Sequence, residues 1–450
     1  MSIKKPYLLH PIIIHHFEGG VLMHNEKDKN LKNWYKLDNA AKIYPAVRNK
    51  KWSGNFRVSI TLNEEVDPAI LQQALNDMRE RIINLNLELK KGFFWYFFEE
   101  SERIVLVEPD SHDPCGRIGG KQNRDMPYRL RYYHNRISLE IFHALADGTG
   151  GMILLKSIVA RYIEIKHHIE IPQTSDIISV RSDFDPEEME DAFKRYAKFR
   201  TLKSRKELRG YHFRSPKLSD DRISLITGII SFKEIHEQSK KYNITVTEFI
   251  VSLMIESFMK CQEKSSARVE RPVKVSVPIN LRKIYPSKTL RNFALYINPG
   301  IEPRYGEFTF KEITEEVHHF MRVNNKEKYL NAIMCKNLSD EMNPMVRAIP
   351  LGIKNIAMKT AFHLYGEALV SSTFSNLGKV TLPTEMEQYV ERFQFMLGRF
   401  MEGMPSAAAT SYKENMYITW TSGKKNKDVE KYFFTSLIKM GIHVKIESNC

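Results

Sequence analysis

The sequence predicts an α/β protein, because segments with the two-residue period of a strand are followed by segments with the period of a helix. Residues 56–62 alternate between apolar and polar side chains, and residues 67–82 then place their apolar side chains at helical spacing. Residues 136–142 alternate in the same way and lead into a helical pattern over residues 152–167. Two strand–helix units in the first part of the chain indicate a mixed fold and argue against an all-helical bundle.

Length and composition predict a globular protein with a large core. The chain has 450 residues, of which 42% are hydrophobic and 27% are charged, and this is enough for two or three domains or for one two-lobed enzyme. No uncharged run approaches the roughly 18 residues of a membrane helix. The apolar run at residues 11–17 is too short for a signal peptide or an anchor, so the predicted location is the cytoplasm.

The cysteines are few and lie far apart, without the paired spacing of a metal site or a disulfide framework. They fit a reducing compartment, and they predict neither zinc nor another bound metal. The surroundings of one of them are typical of a helix interior, which favours a structural role over that of a nucleophile. The four are Cys115, Cys261, Cys335 and Cys450, and the helix interior is that of Cys335.

The formal net charge of +14 is compatible with nucleic acid, acidic lipid or an anionic ligand as partner. Basic residues are mostly interspersed with acidic ones, and no nucleic-acid-binding motif is present, so a nucleic-acid partner is not predicted. An anionic substrate such as coenzyme A needs only a few of these cations.

Residues 142–151 hold a histidine, an aspartate and three glycines at short, fixed spacing. His143 continues the apolar face of the predicted strand, and a partly desolvated imidazole held in one orientation suits a base that works near neutral pH. A single inward histidine is more often a core residue. The catalytic interpretation therefore depends on its neighbours.

Asp147 and the glycines lie where the predicted strand turns into the predicted helix. Gly148, Gly150 and Gly151 allow close backbone approach and conformations that a β-carbon would forbid. Asp147 has two interpretations at this stage: it organises the catalytic turn, or it is simply the N-cap of the following helix.

The pattern His143-x-x-x-Asp147-Gly148 at the end of an alternating strand resembles the active-site motif of the chloramphenicol-acetyltransferase-like superfamily. This superfamily includes the condensation domains of peptide synthetases, plant acyltransferases, wax-ester synthases and bacterial alcohol acetyltransferases. Many of its members carry two adjacent histidines, and here Phe142 takes the first position. The second histidine is the usual base, so this departure does not exclude activity.

Three further stretches extend the resemblance from about residue 31 to the C-terminus. In their order and spacing they are most similar to the bacterial alcohol acetyltransferases. They are WYKLDNAAKIYP at residues 34–45, VPINLR at 277–282 with LRNF at 290–293, and FSNLG at 374–378.

The resemblance implies a two-lobed α/β fold with a tunnel between the lobes, into which coenzyme A enters from one end. Residues 1–30 lie outside it and are interpreted as a variable N-terminal extension. We expect an N-terminal lobe over residues 31–172, a connector over 173–222 and a C-terminal lobe over 223–450.

The resemblance also implies roles for particular residues. His143 is the catalytic base, and Asp147 forms a salt bridge with Arg282 that, with Gly148, supports the catalytic turn. A buried carboxylate needs a partner, and a bidentate guanidinium would satisfy it. The alternative for Arg282 is a surface arginine after a strand.

Three other side chains are weaker candidates. Asn292 is expected to line the tunnel. Ser375 and Asn376 could donate hydrogen bonds to an oxyanion, but serine and asparagine before glycine are also ordinary turn formers.

The predicted function is that of an acyl-CoA-dependent O-acyltransferase, with acetyl-CoA or another acyl-CoA as co-substrate, a small alcohol as acceptor and no permanently bound cofactor. One alternative keeps the fold but uses an amine acceptor or an acyl group carried by a carrier protein. Another is a non-catalytic binding module with the same fold.

Local patterns predict further strands and a further helix. Residues 85–99 are expected to form two strands around a break at 90–92, with the aromatic run 93–98 in the sheet core. A charged helix is expected from Asp185 to about residue 206. A strand over residues 367–374 is expected to lead into Ser375.

Overall fold

The computed structural model describes residues 32–449, apart from positions 50–51, 112, 119–125, 200–201, 204–206, 219–221, 266–269 and 401. The predicted N-terminal extension, residues 1–30, lies outside the described residues. The strands, in chain order, are β1 (Trp34–Lys36), β2 (Asn55–Leu62), β3 (Leu87–Lys91), β4 (Tyr96–Glu100), β5 (Glu108–Pro109), β6 (Tyr128–Tyr133), β7 (Arg136–Phe142), β8 (Ser224–Ser231), β9 (Val273–Asn280), β10 (Ala294–Ile297), β11 (Gly300–Ile301), β12 (Ser372–Lys379), β13 (Val390–Leu397), β14 (Ser406–Tyr412), β15 (Asn415–Ser422) and β16 (Val444–Ser448).

The helices alternate with these strands in the first half of the chain and cluster between β11 and β12. In chain order they are α1 (Ile43–Val47), α2 (Pro68–Arg81), α3 (Gly148–His167), α4 (Ala192–Tyr196), α5 (Phe232–Lys241), α6 (Val246–Glu263), α7 (Phe310–Asn324), α8 (Glu327–Met342), α9 (Pro344–Ala348), α10 (Leu351–Tyr365), α11 (Thr384–Glu387) and α12 (Asp428–Lys439).

Within the described part of the chain, the strands form three sheets. A five-stranded sheet has the order β13-β2-β7-β6-β5, and an eight-stranded sheet has the order β10-β9-β12-β14-β15-β8-β16, with β11 added beside β9. A small third sheet has the order β1-β4-β3. Most neighbours are antiparallel, but β12 runs parallel to both β9 and β14. The mixture of parallel and antiparallel pairs confirms an α/β architecture.

Strand β7 is confirmed at its predicted bounds, but it is buried on both faces. Its apolar residues belong to the core, as expected from the alternation. The polar face is covered as well, and Glu140 has no exposed surface. Its carboxylate accepts a hydrogen bond from Arg57 Nε at 2.7 Å and another from Arg129. A buried carboxylate needs such partners, so the polar face is held by ion pairs inside the protein.

Helices α2 and α3 are confirmed, with one shift of boundary. Asp67 caps α2, and its side chain accepts a hydrogen bond from Ala69 N at 2.8 Å. Helix α3 begins at Gly148, earlier than the predicted residue 152. The glycines therefore form the first turn of the helix. Asp147 is the N-cap and accepts a hydrogen bond from a backbone N–H of this turn, which stabilises the helical conformation there.

The predicted charged helix from Asp185 to residue 206 is wrong. Residues 186–189 form a 3-10 turn, and α4 covers only five residues. The backbone of this segment bonds to other parts of the chain: Leu290 N donates to Glu188 O at 2.9 Å. Arg81 also holds the Glu188 carboxylate through two hydrogen bonds. These tertiary contacts replace the ladder of a continuous helix.

Strands β3 and β4 confirm the predicted pair, but the placement of the aromatic run in the sheet core is wrong for its first half. Phe98 is buried, whereas Phe93 and Phe94 are exposed in the turn between the strands. The hydrophobic run is therefore divided between core and surface because the chain reverses direction within it.

The predicted strand over residues 367–374 is only partly correct. Residues 367–369 form a 3-10 turn, and the strand β12 runs from Ser372 to Lys379. Ser375 and Asn376 thus lie inside a strand, not in the turn that follows one.

Residues from Asn33 onward form one unit, which contains two large hydrophobic cores. One core packs α2 and α3 on the sheet of β2 and β7, and the other packs α6 and α12 on the eight-stranded sheet. Among the described residues, none of the helices is long and apolar enough to cross a bilayer.

A candidate active site at the end of strand β7

His143 lies immediately after β7, in a turn that fixes its backbone and its ring. Its N–H donates to Gly54 O at 2.9 Å. The imidazole stacks on Tyr44 with 4.5 Å between ring centroids and an interplanar angle of 8°. The ring of Phe56 meets it edge-on at 5.2 Å. Two aromatic neighbours therefore hold the imidazole in one plane.

The hydrogen bonds around His143 define which ring nitrogen carries the proton. Nδ1 lies 3.0 Å from Asn292 Oδ1, and Asn292 Nδ2 lies 3.2 Å from Asp38 Oδ2. A carboxylate only accepts hydrogen bonds, so the Asn292 amide must turn its N–H toward Asp38 and its oxygen toward the histidine. Nδ1 is then the donor, which leaves the lone pair of Nε2 available as a base.

Burial lowers the pKa of His143 below its ordinary value, and three contacts oppose this effect: a hydrogen bond with its own backbone, the charge of Asp147 and the hydrogen bond with Asn292. Because the ordinary value is about 6.5, a lowered pKa keeps the ring neutral at pH 7. A neutral imidazole is the form that can accept a proton.

Asp38 is buried, and its pKa is set by two opposing effects, desolvation and the neighbouring charges and hydrogen bonds. Burial raises its pKa to about 6, although the charge of Arg291 and a hydrogen bond from the Ala41 N–H oppose the rise. Arg291 Nε lies 3.7 Å from Asp38 Oδ2, and Ala41 N donates to Oδ1 at 2.7 Å. The side chain is therefore ionised at neutral pH and approaches half protonation near pH 6.

Asp147 caps α3 and joins it to a distant loop. Its Oδ1 accepts from Gly150 N at 2.9 Å, which confirms the N-cap interpretation. Its Oδ2 accepts from Arg282 Nη1 and from Phe293 N, each at 2.8 Å. The cap and the ion pair are thus both present on one carboxylate, and each oxygen has its own partners.

Arg282 makes a single hydrogen bond to Asp147, so the expected bidentate pairing is wrong. Its Nε and Nη2 donate to Thr289 O at 3.1 and 2.9 Å, and Nη2 also donates to Arg291 O at 2.6 Å. Nε and Nη2 therefore hold the loop that precedes Asn292, and Nη1 also donates to Asn280 Oδ1 at 3.4 Å. The alternative of a surface arginine is excluded because the side chain is largely buried.

The glycines of the turn are needed because neighbouring segments pack closely against them. They do not adopt unusual backbone angles. A β-carbon on Gly150 would lie 2.1 Å from Leu290 O, and one on Gly148 would lie 2.9 Å from the side chain of Leu377. Gly148, Gly150 and Gly151 all lack the positive φ angles that the sequence analysis allowed for. The small residues therefore permit the loop at residue 290 and strand β12 to approach the start of α3 closely.

The two oxyanion candidates are placed differently. Asn376 Nδ2 donates to Thr247 Oγ1 at 3.1 Å, and Asn376 Oδ1 accepts from Gly378 N at 2.8 Å. Its amide is therefore engaged with α6. Ser375 and Leu377 share the other face of β12, and Leu377 contacts the start of α3.

Sequence reasoning missed Asp38 and Tyr44 as members of this site. Both lie in the stretch at residues 34–45 that carries part of the resemblance, which was the available signal. A cavity of about 540 Å³ lies beside the same stretch and is lined by Leu37, Lys42, Trp95 and Arg347 among others. The segment therefore borders a cavity and also contacts the histidine, directly through Tyr44 and indirectly through Asp38 and Asn292.

The described residues contain no group of three or more histidine, cysteine or acidic side chains arranged to hold a metal ion. Three cysteines are free and buried, and burial raises the pKa of Cys335. A raised pKa disfavours the thiolate that a nucleophile requires. The fourth, Cys450, lies outside the described residues.

No protein-family model matches the chain, and no curated protein matches it in sequence. Solved structures do match its fold. The trichothecene 15-O-acetyltransferase of Fusarium sporotrichioides matches with a TM-score of 0.59 and 10% identity, over 90% of this chain and 94% of that one. The first condensation domain of the CDA synthetase matches with a TM-score of 0.59 and 12% identity, over 92% and 97%.

The starter condensation domain of rhizomide synthetase, solved as a mutant in complex with C8-CoA, matches with a TM-score of 0.58 and 11% identity, over 91% of this chain and 94% of that one. At such identities the likeness concerns the fold alone. The chain has the mixed α/β fold of condensation domains and chloramphenicol-acetyltransferase-like acyltransferases, which confirms the predicted fold class.

Proposed function

We propose that this protein is an acyl-CoA-dependent O-acyltransferase that uses His143 as its general base and a small alcohol as its acceptor. The observation that carries the proposal is the hydrogen bond from His143 Nδ1 to Asn292 Oδ1. It leaves Nε2 unprotonated, and the lowered pKa keeps the ring neutral at pH 7. Both properties are needed before an imidazole can remove a hydroxyl proton.

The proposed reaction has no acyl-enzyme intermediate. Nε2 of His143 takes the proton of the acceptor hydroxyl while the oxygen attacks the thioester carbonyl carbon. The tetrahedral oxyanion then collapses, the carbon–sulfur bond breaks, and the thiolate leaves with the proton that His143 had received. Ester and free coenzyme A are the products, and the histidine returns to its neutral form.

The supporting residues of the proposal are Asp147, Arg282 and Asn292. Asp147 contacts helix, loop and guanidinium but has no hydrogen bond to the imidazole in the described structure. We therefore assign it the role of holding the turn, not of relaying a proton. Of the two oxyanion candidates, Ser375 is the better one, since the amide of Asn376 is already engaged with Thr247.

The structural neighbours support acyl transfer as the reaction class. One is an O-acetyltransferase and another was solved with an acyl-CoA. We extend this to the present chain with acetyl-CoA or a longer acyl-CoA as co-substrate, bound in a tunnel between lobes formed by residues 31–172 and 223–450, with 173–222 as connector. The buried free cysteines are compatible with the reducing cytoplasm as its location.

A second candidate is favoured by the two condensation domains among the structural neighbours. In it the same histidine serves an amine acceptor or an acyl group delivered by a carrier protein. A stronger reaction with an acylated carrier protein than with free acyl-CoA would favour this candidate. Ligand binding with no transfer from any donor would favour a non-catalytic module.

The test is thiol release from acetyl-CoA with a panel of small alcohols and amines. We expect release that depends on an alcohol and that falls by about 10²- to 10⁴-fold in His143→Ala. The matched control is His319→Ala, which removes an exposed histidine of α7 and should react like the wild type. Release that is unchanged in His143→Ala would contradict the proposal.

A further inference from the structure

Helix α10 exposes apolar side chains on its outer side and buries a lysine on its inner side. Ile353 and Ile356 are 60% and 69% exposed, and Leu364 is also exposed, whereas Lys354 is only 4% exposed. Spacings of three, eight and eleven residues place the three apolar side chains along one side of the helix. This side faces outward, so burial in the protein does not account for its composition.

The exposed aromatic turn between β3 and β4 lies next to this helix. Phe93 is 72% exposed and Phe94 is also exposed, and their rings meet edge-on at 4.8 Å. The backbone joins the two segments directly, because Leu351 N donates to Phe93 O at 2.8 Å. Met345 of α9 is exposed as well. We call the set formed by Phe93, Phe94, Met345, Ile353 and Ile356 the apolar face.

Hydrogen bonds from Lys354 connect the segments that form the apolar face. Its Nζ donates to Phe94 O at 3.1 Å and to Arg347 O at 3.0 Å, so it links the turn, α9 and α10. The ammonium also lies 3.7 Å from the centroid of the Trp95 ring. A buried lysine is expensive unless its N–H groups are satisfied. The apolar face is therefore a fixed surface with polar supports beneath it.

The exposed charged side chains of α9 and α10 have one sign. Residues 343–366 contain no aspartate or glutamate, and their exposed cations are Arg347 and Lys359, since Lys354 is buried. Lys91 is also exposed and comes directly before the aromatic turn, whereas Lys90 is paired with Glu88. The rim of the apolar face that α9 and α10 provide is therefore cationic.

Single exposed hydrophobic residues are normal, but a contiguous set with a basic rim has a specific meaning. Aromatic and branched apolar side chains beside lysine and arginine are the composition of surfaces that lie in the interface of an anionic bilayer. We propose that the apolar face docks on the surface of an anionic lipid membrane, with its side chains at the boundary between headgroups and acyl chains and without spanning the bilayer.

A second copy of the chain is the competing occupant, and the charges disfavour it. In a symmetric dimer the same patch meets itself, so Arg347 and Lys359 would face the cations of the other copy. No acidic residue of the 343–366 segment could neutralise them. An anionic lipid surface supplies the opposite charge over the whole area.

The test is co-sedimentation of the full chain with phosphatidylcholine vesicles that contain or lack about 30% phosphatidylserine. We expect binding to the vesicles with phosphatidylserine, and weaker binding at higher salt because the charges are screened. Ile356→Glu should weaken the binding about tenfold or more, and Lys359→Gln about fivefold. Both residues are exposed, so melting curves like that of the wild type should show intact folding.

The matched control is Ile438→Glu, which alters another exposed isoleucine on a helix, α12. It should bind vesicles like the wild type. Three outcomes would overturn the proposal: no binding to vesicles with phosphatidylserine, equal weakening by Ile438→Glu and Ile356→Glu, or a dimer in sedimentation velocity that Ile356→Glu dissociates. None of these readouts depends on acyl transfer, so the proposed function can fail without affecting this one.

Discussion

Arg282 Nη1 lies 2.8 Å from the carboxylate of Asp147, although 135 residues separate them in the chain. Its other N–H groups hold Thr289 O and Arg291 O. The ion pair with Asp147 attaches Arg282 to the start of α3. The hydrogen bonds to Thr289 O and Arg291 O fix the conformation of the loop just before Asn292. Asn292 then reaches His143. The ion pair thus acts on the histidine by positioning a neighbour.

His143→Ala should abolish most turnover and leave the fold intact. The imidazole contributes stacking with Tyr44 and one hydrogen bond with Asn292, but it belongs to no ion pair. We expect kcat/KM to fall by about 10²- to 10⁴-fold with a nearly unchanged melting temperature. Steady-state kinetics and a thermal melt check the two halves of this prediction.

Asp147→Ala should destabilise the protein strongly. It removes the cap of α3 and leaves the largely buried Arg282 without its carboxylate, and breaking a buried pair from one side costs about 3 to 5 kcal/mol. Chemical denaturation measures the loss. If Asp147→Ala and His143→Ala melted at the same temperature, the division of roles between them would be wrong.

Two protonations should limit activity at low pH. Asp38 has a pKa of about 6, and the pKa of His143 is below its ordinary value. Once protonated, Asp38 no longer fixes the amide of Asn292, and a protonated His143 cannot accept a proton. We therefore expect log kcat/KM to be level at neutral pH and to fall below about pH 6 with a slope that approaches about two.

Asp38→Asn tests the same chain of hydrogen bonds. The variant has no carboxylate to titrate, so its acid limb should have a slope of about one. Its plateau should also be lower, because either end of the Asn292 amide can then face His143. An acid limb of unchanged slope would show that Asp38 does not control the site.

Gly150→Ala should weaken the attachment of α3 to the 290 loop. The new β-carbon would lie 2.1 Å from Leu290 O, and a backbone carbonyl cannot move aside cheaply. Gly352→Ala is the matched control, since it is also helical and its β-carbon would meet nothing within 4 Å. We expect Gly150→Ala to lower the melting temperature and Gly352→Ala to raise it slightly, because alanine favours helices. Equal shifts would contradict the steric argument.

Local patterns were sufficient to predict the scaffold of the site. The alternation over residues 136–142 gave β7, and the cap pattern at Asp67 gave α2, because both depend on neighbouring residues. Strand β14 was missed. Its residues 406–412 are buried on both faces beside β12 and β15, so they lack the alternation that marks a half-buried strand.

Long-range contacts could not be predicted from local patterns. The Asn292 amide connects to Asp38 across 254 residues and to His143 across 149, and no spacing rule covers such distances. At the aromatic turn around Phe93, the local pattern itself was misleading. Its hydrophobicity indicated a core position, but the reversal of the chain places it at the surface.

The five-stranded sheet that leads to His143 cannot be completed until strand β13 has been synthesised. This strand pairs with β2, and the partners Thr61 and Arg392 are 331 residues apart. At roughly 5 to 20 residues per second, the ribosome takes about 15 to 70 seconds to supply β13 after β2 has emerged. Until then β2 has an unpaired edge that can join strands of other chains. We therefore expect a fragment that ends before residue 390 to aggregate more readily than the full chain.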